Sequence, residues 1–187
     1  MTSRKPEPFY VGYLPTPESL RRRYLWLTPL IVALVLGAGF LFSSAQQGAG
    51  TGTWATASPV TLAGTITVDP YAVLHTVDGE SALLVMFGKR GAAHVAGPHA
   101  GTHVEVTGNP IRRGGLLVLE LAGPEAVVPA SGTPIAVSTV PGQSTTLTGE
   151  IVDTKCFLGV MKPGAGKVHR ACAALCLRGG MPPMIVS

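Results

Sequence analysis

Residues 24–42 read YLWLTPLIVALVLGAGFLF, nineteen positions without a charge. About 20 consecutive apolar residues carry a helix across the hydrocarbon core of a bilayer. Tyr24 and Trp26 stand at the basic end of this run, where aromatic rings favour the headgroup region. Pro29 falls in the first turns, where a missing N–H does least harm. The run is therefore expected to be a single transmembrane helix. After it the pattern becomes short, apolar and β-branched, at 60–68, 71–77, 82–87, 102–108 and 116–122. Such runs predict strands. Asp69-Pro70, Asp78-Gly79-Glu80 and the stretch from Asn109-Pro110 to Gly115 are hairpin-type connections. Only the third and fourth runs are separated by a longer segment, 88–101.

Five short strands with one long connection after the third predict a small Greek-key barrel of OB type, with a plain β-sandwich as the alternative. The fold class expected is thus mainly β, with an OB-like barrel, a partial second β/α unit and one N-terminal transmembrane helix. The chain divides into a basic tail (1–23), the helix (24–42) and a small-residue linker (43–58). An OB-like domain (59–128), a Pro/Ala/Ser/Thr linker (129–143) and a Cys/His unit (144–187) follow. The last unit opens on TTLTGEIVD, an echo of VTLAGTITVD at the first strand. A strand at 145–153, a helix at 168–178 and a final apolar run at 184–186 are expected there. So short a unit is not expected to bury a core alone: it completes itself on the barrel, takes strands from a partner, or is a truncated piece of a longer unit.

Charge fixes the expected orientation. Only 13% of residues are charged, against about 25% in ordinary soluble domains. The net charge is +4, and Arg4, Lys5, Arg21, Arg22 and Arg23 precede the apolar run, against Glu7 and Glu18. No Lys or Arg follows until Lys89. The positive-inside rule then places the N-terminus in the cytoplasm and the C-terminal domain in the periplasm or outside, anchored in the inner (plasma) membrane. A nucleic-acid binder would carry its excess charge on a folded face, so nucleic acid is not expected as a partner. Two rival readings of the run are a cleaved signal ending near Ser43-Ser44-Ala45 and a twin-arginine export signal at Arg21-Arg22-Arg23. Phe9, Tyr10 and Tyr13 in the tail are either a disordered lead-in or a strip that packs on a neighbouring membrane subunit.

The candidate chemistry sits near the end. All three cysteines, Cys156, Cys172 and Cys176, lie within twenty-one residues. His169, Cys172 and Cys176 at i, i+3 and i+7 share one helical face, and Cys156 is placed to close a fourth position. A Cys₃His set is a tetrahedral metal shell, and thiolates also suit copper or iron besides zinc. The same cysteines outside the cytoplasm are disulfide candidates, with Cys156 joined to Cys172 or Cys176 and one thiol left over. A redox-active dithiol is the third reading. His94, His99 and His103 read as solvated loop histidines, and Lys89-Arg90 and Arg112-Arg113 as turn charges. MKPGAGKVH is not a phosphate loop, because Met161 and Val168 occupy positions that need Gly and Ser/Thr. With no catalytic constellation, the chain reads as non-enzymatic.

The stretch GEIVDTKCFLGVMKPGAGKVHRACAALCLRGGMPP resembles a segment of bacterial exported or membrane-anchored proteins of OB-like fold. The matching positions are Gly149, Glu150, Val152, Asp153, Cys156, Gly164, His169, Cys172, Ala173, Cys176, Gly180 and Pro182, across about 35 residues. The resemblance implies location and fold rather than an activity. Together these features suggest an accessory subunit of a bacterial membrane redox or energy-converting complex, its Cys/His domain able to hold a metal. A free-standing metal- or thiol-handling protein and an assembly module with structural cysteines are the alternatives.

Overall fold

The computed structural model describes Gly12 and residues 15–45, 50–138 and 142–186. The tail residues Phe9, Tyr10 and Tyr13 lie outside that set. The chain forms two compact units, 1–48 and 49–187.

The first unit holds helix α1 (Glu18–Ala45). Its first backbone bond runs from the Arg21 N–H to the Pro17 carbonyl, 2.9 Å. The helix therefore starts earlier than the apolar run and includes the three arginines. Pro29 consequently lies in the helix interior rather than in its first turns. An 18-residue window within residues 18–44 has a mean hydropathy of 2.3, and none of that window is buried. This one helix is long and apolar enough to cross a membrane, a test that a signal sequence also passes.

The second unit is mainly β. Strand β1 (Thr53–Trp54) precedes β2 (Val60–Thr67), β3 (Val73–Thr76), β4 (Ser81–Met86) and β5 (Arg90–Gly91). A short helix α2 (Ala93–Ala96) leads to β6 (His103–Arg113), β7 (Leu116–Leu121) and β8 (Val127–Pro129). Five strands close on themselves in the order β2, β3, β4, β7, β6 and back to β2. Every contact is antiparallel except β4 with β7, which is parallel with Leu84 opposite Leu119. A parallel closure needs a crossover, and residues 88–101 supply it. That connection, whose histidines read as loop residues, is ordered. It contains β5 and α2, and Ala92, Val95 and Ala96 join the barrel core.

Leu84, Met86, Val104, Val106, Leu117, Leu119 and Leu121 point into that core. Their neighbours Val85, Ile111 and Val118 point outward, yet are as deeply buried, because residues from the last part of the chain cover them. Burial on both faces explains why β7 opens on a continuous apolar run, residues 116–119, rather than an alternation.

Two boundaries differ from the sequence expectation. The β6 strand runs through Asn109-Pro110, which read as a turn, and pairs Pro110 with Leu119. The turn is Gly114-Gly115, with φ of 54° and 80°, the two-residue geometry that matches strand twist and favours glycine. Thr53–Trp54, read as linker, pairs with Arg112 and Ile111, because the indole finds both apolar cover and a hydrogen-bond acceptor there.

The last part of the chain has no core of its own. Among the described residues, strand β9 (Glu150–Asp153) pairs only with β10 (Pro183–Val186), and the echo of β2 at this point does not extend to a second barrel. A wide turn at Cys156–Val160 and helix α3 (Arg170–Arg178) lie between them. Cys156, Leu158, Cys176 and Met181 pack on Val85, Ile111 and Val118. The barrel thus completes this segment.

Candidate metal centre

The turn after β9 and the helix α3 bring the three cysteines together. Cys156 opens the turn, and Cys172 and Cys176 lie one helical turn apart on the face of α3 that meets the barrel. The three sulfurs lie within 4.8 Å of one another. All are free thiols, so neither proposed disulfide is formed in this structure. Cys156 and Cys176 are buried and Cys172 is half-buried.

His169 is not in this triad. It precedes the first residue of α3, and its Nε2–H donates to the Asp153 carboxylate at 3.1 Å. Asp153 is fully buried, and its other oxygen accepts the Cys156 N–H at 2.9 Å. A second group results, Asp153, Cys156 and His169, whose ligand atoms also lie within 4.8 Å of one another. The four residues expected around one point therefore occupy two adjoining sets that share Cys156. Asp153 is the reason: a buried carboxylate needs a donor, and the imidazole is within reach.

Other residues complete the surroundings. Lys89, which read as a turn charge, donates from Nζ to Cys172 Sγ at 2.6 Å and to Cys176 Sγ at 3.8 Å. Close packing of backbone holds it there. The Gly91 N–H donates to the Gly179 carbonyl at 2.9 Å, which docks the end of α3 on β5. A cavity of about 220 Å³ lies beside the sulfurs, and Trp54, Phe87, Lys89, Glu120 and Lys155 contribute to its wall. Glu120 and Lys155 form a buried ion pair. Lys155 Nζ also donates to the Met86 and Gly88 carbonyls, at 3.1 and 2.9 Å, and the Trp54 indole N–H donates to Glu120 at 3.2 Å.

Burial pushes the Cys156 and Cys176 thiols up from the usual thiol range, and the Asp153 charge adds to the effect. Lys89 opposes it at Cys176. The hydrogen bond to Cys172 holds Lys89 above the usual lysine range. A buried cation reverses this balance, since thiolates are the metal-binding form. The chemistry of the set therefore fits a soft or borderline metal ion such as zinc or copper(I).

Among the described residues, neither His94, His99 nor His103 belongs to a group of three metal-ligating side chains. Asp153 entered the sequence reading as one of the positions shared with the resembling segment, without a role at the site. Lys89, Glu120, Lys155 and Trp54 carried no local signal at all. Comparison with protein-family models, curated proteins and solved structures finds no match.

Proposed function

We propose that this protein is a membrane-anchored accessory subunit of a membrane redox or energy-converting complex, with a metal-holding domain on the extracytoplasmic side. The observation that carries the metal reading is the convergence of three free, largely buried thiols within 4.8 Å. Sulfurs about 3.8–4.0 Å apart are what metal–sulfur bonds of about 2.3 Å require. The strand order of the barrel, with its parallel closure and a helix in the crossover, supports an OB-type identity. Anchoring is supported by α1, and orientation by the basic residues before it.

The test is purification from membranes in mild detergent, followed by metal analysis and a thiol count in denaturant. The expected result is at least one zinc or copper per chain, co-purifying subunits, and three titratable thiols once a chelator has removed the metal. Because the ligand thiols must lose protons, binding is expected to weaken as pH falls. Metal-free protein with two of its thiols lost to a bridge sinks the metal reading in favour of a structural disulfide. A chain that purifies alone sinks the subunit reading. For orientation, a periplasmic reporter fused after Ser187 is expected to be active; activity of a cytoplasmic reporter at the same point reverses the assignment.

A further inference from the structure

Two three-residue groups, one of three thiols and one of Asp153, Cys156 and His169, share a single sulfur. Each group is compact enough for one ion, and His169 does not belong to the set that contains Cys172 and Cys176. The inner group is closed off, with Asp153 at 0%, His169 at 3% and Cys156 at 5% exposure. The 3.1 Å between His169 Nε2 and Asp153 Oδ2 is spanned by one proton, or by one metal ion with bonds of about 2.0–2.2 Å to each atom.

Resting on the metal reading above, we infer that the site is dinuclear, with Cys156 as a thiolate bridge between an outer ion on Cys172 and Cys176 and an inner ion on Asp153 and His169. A thiolate sulfur has lone pairs enough to bind two cations. Three thiolates and one carboxylate carry four negative charges, which two divalent ions offset with His169 uncharged, while Lys89 beside Cys172 adds one positive charge. On loading, the three thiols release their protons to solvent, the neutral His169 ring carries its proton on Nδ1 so that Nε2 is free to bind, and no redox step is involved.

The experiment is titration of the full-length, metal-free protein in detergent with zinc, read by native mass spectrometry, and with cobalt(II), read by electron paramagnetic resonance. Wild-type protein is expected to take two zinc ions per chain. His169→Ala and Asp153→Asn are each expected to retain one, Cys172→Ser to retain one, and Cys156→Ser to hold neither firmly. Two cobalt ions that share a sulfur are expected to couple, weakening the resonance per ion on full loading, and His169→Ala restores the uncoupled signal. Asp153→Asn keeps the shape of the side chain and serves if His169→Ala does not fold.

One zinc in the wild type, unchanged in His169→Ala, overturns the dinuclear site and leaves a mononuclear trithiolate centre. One zinc in the wild type that His169→Ala abolishes also overturns it, because all four side chains then serve one ion. No zinc in the wild type overturns the metal reading itself.

Discussion

Lys155→Met is expected to destabilise the barrel unit by about 3–5 kcal/mol, the usual cost of removing one partner from a buried ion pair. Lys155 and Glu120 are only 4% and 2% exposed. The lysine also satisfies two backbone carbonyls, those of Met86 and Gly88, at the end of β4. Its loss leaves the Glu120 carboxylate with only the Trp54 indole N–H as a donor and leaves both carbonyls without their ammonium. Lys155→Met combined with Glu120→Leu removes both charges and should recover most of the loss, since apolar replacement of a whole buried pair is often neutral. Urea unfolding followed by circular dichroism measures both. A single variant within about 0.5 kcal/mol of wild type, the usual range for surface changes, would mean the pair is hydrated.

Gly179→Ala is expected to cost about 3 kcal/mol, at the upper end for forcing extra volume into a packed site. The φ of Gly179 is −78°, ordinary for any residue, so backbone strain plays no part. Instead, an alanine Cβ here falls 1.8 Å from the Lys89 carbonyl oxygen. Both elements are backbone, and neither can rotate away. The end of α3 must lift from β5, carrying Cys176 and Cys172 away from Lys89. Weaker zinc binding should accompany the loss of stability. Gly97→Ala is the control, with open space around its Cβ, and should be close to neutral. Equal midpoints for the two variants in urea would show that the helix is not docked as described.

What the sequence determined by itself was everything that repeats locally. An unbroken apolar run marked α1, and the β-branched runs placed β2, β3, β4 and β7 to within a few residues, because side-chain pattern and hydropathy are properties of neighbours along the chain. The clustering of Cys156, Cys172 and Cys176 was equally plain. Its helical spacing correctly set two thiols on one face. The same spacing put His169 with them, whereas its ring meets the Asp153 carboxylate and groups with Cys156 alone of the three.

Tertiary structure decided the rest. Lys89 and Cys172 are 83 residues apart, and Trp54 and Glu120 are 66 apart. Such pairs leave no periodic trace, because only barrel closure brings them together. The parallel seam between β4 and β7 turned the Gly/His connection from a loop into an ordered crossover. Packing of α3 and the wide turn on Val85, Ile111 and Val118 gave a segment without its own core a place to fold. Above all, the Asp153 carboxylate sits fully buried beneath the Cys156 turn. A charge out of water takes the nearest donor. It claimed His169, and so divided one expected ligand set into two that meet at a shared sulfur.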